Sequence, residues 1–255
     1  MAKGKIKAYT RGLLRVANHR AFWLRVLGEV NNQQIWLIRT RESHIHKDPK
    51  VLIVAGFHGE EKAGPLGILK WLENSDRGIF KKIDLSFIPV VNPTGFNRGV
   101  RKNSWGEKTN CGFVHKTDKL SKEGRILNRN IKFLTELAKD GFLSLHEDEG
   151  EKNFYVYSYE DVDKPSEAAY ALRNVEAKYF KKLQNGIKVN EEGDPEAAVE
   201  DGIIHKLCDG SLEDYFMHKG IRAFVTETPG KCRISRRIEA TMAIINKFID
   251  LSLGG

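Results

Sequence analysis

Residues 51–61, VLIVAGFHGEE, decide how the chain is read. Val51 to Phe57 is an apolar run without polar alternation, the pattern of a strand covered on both faces. It stops at His58-Gly59-Glu60-Glu61, and behind it Ala63 to Leu72 places Leu66, Leu69 and Trp71–Leu72 at helical intervals. The unit is strand, polar loop, helix. Working outward, Ile83 to Val91 (IDLSFIPVV) is predicted as the next buried strand, closed by a turn at Asn92-Pro93-Thr94-Gly95. Gln34 to Thr40 (QIWLIRT), Gly141 to Leu145 and Ile221 to Thr226 (IRAFVT) supply further strands. Ser166 to Leu183, capped by Ser166, and Ile238 to Leu251 supply helices. Strands alternating with helices predict an α/β three-layer sandwich around a mixed, mainly parallel twisted sheet.

Composition bounds the rest. With 255 residues, 40% of them hydrophobic, the chain suits one domain over 1–255 and is too apolar to be disordered. No apolar run reaches membrane-spanning length, and the N-terminus lacks the unbroken apolar core of a secretory signal. Cys111, Cys208 and Cys232 are odd in number and scattered, which gives no disulfide framework. The expectation is a soluble, cytoplasmic protein with no membrane partner. Its net charge of +8 is concentrated in the basic segment of about 1–30 and just beyond, where nine Lys or Arg before Glu42 face only Glu29. No nucleic-acid motif accompanies them, so the segment reads as a solvated face rather than a nucleic-acid partner site.

In parallel sheets, ligands gather beyond the carboxyl ends of the strands. There the chain presents His58 to Glu61, His146-Glu147-Asp148-Glu149, and Thr226-Glu227-Thr228-Pro229. A catalytic zinc takes three protein ligands and keeps a position for water. His58 and Glu61 on one turn, with His146 from a distant strand, form such a set for one Zn2+ ion. The His-x-x-Glu spacing is weak by itself and recurs at His146 and Glu149. His44 and His46, in a polar loop before Pro49, read as surface residues.

These segments together resemble the zinc carboxypeptidase family, the M14 metallopeptidases, and especially its small bacterial members. His58-Gly59-Glu60-Glu61 resembles the family's ligand pair and Leu145-His146 its third ligand. Val26 to Thr40 is similar to its entry segment, in which a short Gly-containing turn leads into a strand. Asn92-Pro93-Thr94-Gly95 resembles an Asn-Pro-Asp-Gly turn. The resemblance implies that Arg101 polarises the scissile carbonyl, with Arg98 in reserve. It implies that Asn128 and Arg129, in Leu127-Asn128-Arg129-Asn130, hold a substrate carboxylate, and that Glu227 is the general base. Burial after an apolar strand would raise that acid's pKa. Where classical members carry a mobile Tyr this chain has His205, and Leu212 takes the pocket-floor position after Gly210-Ser211.

The implied fold is carboxypeptidase-like, and the implied activity is zinc-dependent cleavage of an amide bond next to a carboxylate-bearing residue. The first form is a metallocarboxypeptidase acting on peptides. The alternatives are an N-acyl amino acid deacylase, a murein peptide amidase, or a non-catalytic zinc-stabilised protein whose basic segment binds nucleic acid.

Overall fold

The computed structural model describes residues 5–40, 49–114, 119–189 and 196–254. His44 and His46 lie outside them. The chain opens with helix α1 (Lys5–Arg20), which buries Ile6, Tyr9, Leu13, Val16 and Ala17 along one stripe. Lys5, Lys7, Arg11 and Arg15 occupy its exposed side, so much of the basic N-terminal charge is the outer face of an amphipathic helix. A hairpin follows, β1 (Trp23–Val30) and β2 (Gln33–Arg39). Its turn is Asn31-Asn32, both at positive φ (51° and 57°), the pairing that two-residue hairpins favour. The expected glycine turn is therefore an asparagine turn. Gly28 instead marks a register shift within β1, where a Cβ would press to 2.8 Å from Ile126.

The βαβ core comprises β3 (Lys50–Ala55), α2 (Ala63–Asn74), a 3-10 turn at Arg77–Lys81, and β4 (Asp84–Ile88). Asn92-Pro93-Thr94-Gly95 does not simply turn. Asn92 caps helix α3 (Pro93–Arg98), accepting from Gly95 N at 2.8 Å, with Pro93 in the first turn where its missing N–H costs nothing. Then come α4 (Lys122–Arg129), α5 (Ile131–Leu137), β5 (Gly141–Asp148) and β6 (Tyr155–Tyr159). Helix α6 (Glu167–Glu176) is capped by Ser166 as expected and ends before Leu183, because Tyr179 and Phe180 fold back in a turn onto Glu176 O. The remainder is β7 (Lys188–Val189), β8 (Ala197–Ala198), β9 (Ile203–His205), α7 (Leu212–Met217), β10 (Ala223–Pro229) and α8 (Ile234–Ser252).

Among the described residues eight strands form one sheet in the order β1-β2-β4-β3-β5-β10-β6-β9, and β7 pairs with β8 in a second. The central four, β4-β3-β5-β10, are parallel; β1 and β2 join antiparallel on one side, and on the other β6 is antiparallel to β10 and parallel to β9. Alternate residues of β3 serve opposite layers, as the strand pleat requires. Val51, Ile53 and Ala55 pack with α1, α2, α6 and α8, whereas Leu52 and Val54 pack with α4, α5 and α7. The predicted three-layer α/β sandwich is what forms. Among the described residues no helix is long and apolar enough to cross a membrane.

Candidate active site

The site is assembled at the carboxyl ends of the parallel strands. Beyond β3 the chain passes Gly56, at φ 67°, and reaches Phe57-His58. Gly59 then lies so close to α3 that a Cβ would stand 2.0 Å from Gly95 C and 2.4 Å from Val100 O. Only glycine fits there, and its N–H donates to Arg101 O at 3.3 Å. Glu61 enters the cleft just before α2 begins. From β5, His146 stacks on Phe57 (centroids 5.7 Å apart, planes 10° apart) and meets His58 edge-on at 5.0 Å.

The three side chains converge. His58 Nδ1 is 2.5 Å from Glu61 Oε1, and His146 Nδ1 is 3.1 Å from Glu61 Oε2. One ligand atom from each lies within 4.8 Å of the others, and all three residues are buried. Burial opposes ionisation of Glu61, yet the two imidazoles outweigh it and hold the carboxyl well below its ordinary range. Two imidazoles and a carboxylate are the donor set of catalytic zinc sites, and Glu61 Oε2 faces His146 Nδ1 at 3.1 Å without a well-directed hydrogen bond. The set fits a divalent metal ion.

Glu227 is the register partner of His146 on the adjacent strand, so both side chains leave the same face of the sheet. It lines one cleft with His58, Arg101, His146 and Tyr157. Arg101 Nη1 stands 3.8 Å from both Glu60 and Glu61. Its carbonyl accepts from Asn92 Nδ2 at 3.0 Å, which ties the arginine's loop to the cap of α3.

On the opposite face of the same strand ends, Glu147 Oε1 accepts from Ala63 N at 2.5 Å and Oε2 from the Arg237 guanidinium. Its register partner Thr228 donates to Glu176 Oε1 at 2.9 Å. Burial pushes the Glu147 carboxyl up to about 7 against the pull of Arg237, and that of Glu176 up to about 8.

Several expected residues stand elsewhere. Asn128 and Arg129 are exposed in the last turn of α4, because that helix commits Ile126 and Leu127 to the core and turns the next two residues outward. Arg129 lines a separate surface groove beside Glu29 and Trp105. His205, at the end of β9, faces Val162 O (2.9 Å) and Ser158 Oγ (3.3 Å), while Leu207 and Asp209 reach the cleft instead. The Leu212 side chain is fully buried in the core, and its neighbours Ser211 and Glu213 line the cleft. Arg98 donates to the carbonyls of Lys102 and Asn103. Glu149 is half exposed and outside the His–Glu–His cluster.

The cleft also holds residues that no sequence motif marked. Lys108 and Asn110 come from the loop after Arg101, and Tyr157 and Tyr159 from β6. Asp209 accepts from Tyr159 OH at 2.6 Å and Ser211 N at 2.9 Å, and burial pushes its carboxyl up to about 6. The period of two in Tyr155-Val156-Tyr157-Ser158-Tyr159 was a legible strand signal that puts these tyrosines on one face. Nothing local in Lys108-Thr109-Asn110 marked it as a cleft segment.

The comparisons with known proteins agree with this geometry. Residues 47–186 match the model of the succinylglutamate desuccinylase/aspartoacylase catalytic domain. A solved structure from Shewanella amazonensis SB2B, called a "putative metallopeptidase", is 32% identical, with 96% of this chain and 92% of that one covered at a TM-score of 0.90. One from Shewanella denitrificans OS217, of the same description, is 35% identical over 96% and 90% at 0.88. A metallo-carboxypeptidase from Burkholderia cenocepacia shares the fold at a TM-score of 0.73, with 16% identity over 96% of this chain and 68% of its own. No curated protein sequence matches the chain. A carboxypeptidase-like sheet, a His–Glu–His cluster at its strand ends and a family match across that cluster lead to one statement: the chain belongs to the succinylglutamate desuccinylase/aspartoacylase catalytic-domain family, within the zinc carboxypeptidase-like superfamily.

Proposed function

We propose that the cleft hydrolyses an amide bond next to a carboxylate-bearing residue, with one zinc ion held by His58, Glu61 and His146. When bound, the ion supplies a Lewis acid and lowers the pKa of its water toward neutrality. Glu227 accepts the proton of the attacking water and delivers it to the leaving nitrogen. Arg101 stabilises the charge that develops on the carbonyl oxygen, as a cation already standing at the cleft. The observation that carries the reading is the placement of Glu227 beside His146 in one cleft with His58 and Arg101.

Two substrate forms follow from the same site. The kinship with proteins described as metallopeptidases supports a carboxypeptidase-type reaction on short peptides. The family match, and the position of Arg129 outside the cleft, support deacylation of N-acyl amino acids, with Arg101 and Lys108 as the cations a carboxylate would meet. The test is a screen of metal-stripped and zinc-restored protein against N-acyl amino acids, short peptides with free or amidated C-termini, and cell-wall peptides. Zinc-dependent release of an amine from free-carboxylate substrates alone is expected. Zinc-loaded protein that cleaves nothing in the panel, or cleaves amidated substrates equally well, refutes it.

A further inference from the structure

His146 offers Nδ1 to Glu61, which leaves Nε2 on the other side of its ring. An imidazole that ligates through Nδ1 carries its hydrogen on Nε2, and here that N–H belongs to a buried side chain. Glu213 Oε1 stands 4.0 Å from that nitrogen. Glu213 projects from the first turn of α7, is wholly buried, and lines the same cleft. Its other oxygen accepts from Asn110 Nδ2 at 2.8 Å, and Asn110 Oδ1 in turn accepts from Leu212 N at 3.1 Å. Oε1 itself has no hydrogen-bond partner. A buried acid with one oxygen anchored and the other left open is costly unless something occupies the open side.

We propose that Glu213 is a positioning residue for His146. It accepts the Nε2 hydrogen, directly after a small side-chain adjustment or through one water, and so fixes the tautomer that turns Nδ1 toward the metal. Asn110 aims Glu213, which gives this loop residue a reason to reach the cleft. The inference rests on the reading that His58, Glu61 and His146 hold the metal.

The experiment measures the affinity of the metal-free protein for Zn2+ by competition with a chelator, and the visible spectrum of the Co2+-substituted protein. Glu213→Ala should weaken zinc binding by about 10- to 100-fold, the usual cost of losing such a partner, and shift the Co2+ bands. Glu213→Gln should fall between, since Asn110 and His146 stand at different oxygens of the carboxylate and an amide keeps an acceptor at only one of those positions. Asp214 is the control for a merely structural acid. It is equally buried on the same helix, but it faces Gly210 N (2.9 Å) and His218 (3.0 Å). Asp214→Asn should lower the melting temperature and leave zinc affinity and the Co2+ spectrum unchanged. Zinc affinity unaltered in Glu213→Ala, or lost alike in Glu213→Ala and Asp214→Asn, overturns the assignment while the metal site stands. A wild-type protein that binds no zinc, or His58→Ala that binds it as well as wild type, overturns the metal reading and this inference with it.

Discussion

The ends of β5 and β10 have two faces that differ in how their polar groups are used. On the cleft face His146 and Glu227 stand side by side, and around them Glu61 Oε2 and Glu213 Oε1 are buried without hydrogen-bond partners. On the rear face, one residue further along each strand, Glu147 has both oxygens taken by α2 and α8, and Thr228 is bonded to α6. Glu176 Oε2 and Arg237 Nε are also buried without hydrogen-bond partners, so openness alone does not set the faces apart; on the cleft face the open carboxylate oxygens stand next to His146. The period of two in a strand thus separates chemistry from scaffolding within a single residue step.

Substitutions on the two faces should therefore read out differently. The largest effect is expected from His146→Ala, which should remove bound zinc, measured by metal analysis, together with hydrolysis. Retention of stoichiometric zinc would mean that the cleft face does not hold the metal. Glu227→Gln should keep its zinc while turnover falls about 10²–10⁴-fold, the range of a general acid–base group. Near-normal turnover would remove Glu227 from the mechanism. Crossing to the rear, Arg237→Met leaves Glu147 as a buried acid without its cation, which should cost about 3–5 kcal/mol in denaturant unfolding. Metal content at low denaturant should not change; if it does, the two faces are not separable.

Glu176 gives the rear face a pH signature. Burial raises its carboxyl from 4.5 to about 8, so the folded state holds a proton that the unfolded chain releases. The stability it contributes is complete below about pH 4.5 and is lost as pH rises to about 8, a decline on the order of a few kcal/mol. Glu176→Gln should flatten that part of a stability-against-pH curve, and an unchanged curve would show that Glu176 is not the source. The smallest effect belongs to Arg129→Ala. Because Arg129 lies outside the cleft, kcat/KM should stay within about a factor of two, the margin of an ordinary surface substitution. A tenfold loss would return it to the substrate site.

The sheet was legible because its central strands are continuous apolar runs, and the convergence of His58, Glu61 and His146 because they lie at the ends of those runs. Arg101 was named from the resemblance, and it lines the cleft. Asn128, Arg129 and Leu212 were misplaced because motif similarity says nothing about which side of a helix faces the core. In α4 the apolar pair Ile126–Leu127 decides that, and in α7 the core takes Leu212. His205 was misplaced by counting back along the chain, which ignores the loop that carries Leu207 and Asp209 into the cleft. Lys108 and Asn110 had no periodicity to announce them, since tertiary contacts, among them Asn110 with α7 and Thr109 with Phe57 O, bring that loop in.

The close approach at Gly59 limits how this lineage can vary. The residues that shape the cleft wall sit on loops and a strand face, and exchange among them alters what is accepted without moving the ligands. Position 59 has no such freedom, because even a methyl group would displace the backbone of α3 and, through Val100 and Arg101, the arginine at the cleft. Exchange at the cleft wall is therefore expected to leave the glycine at position 59 untouched.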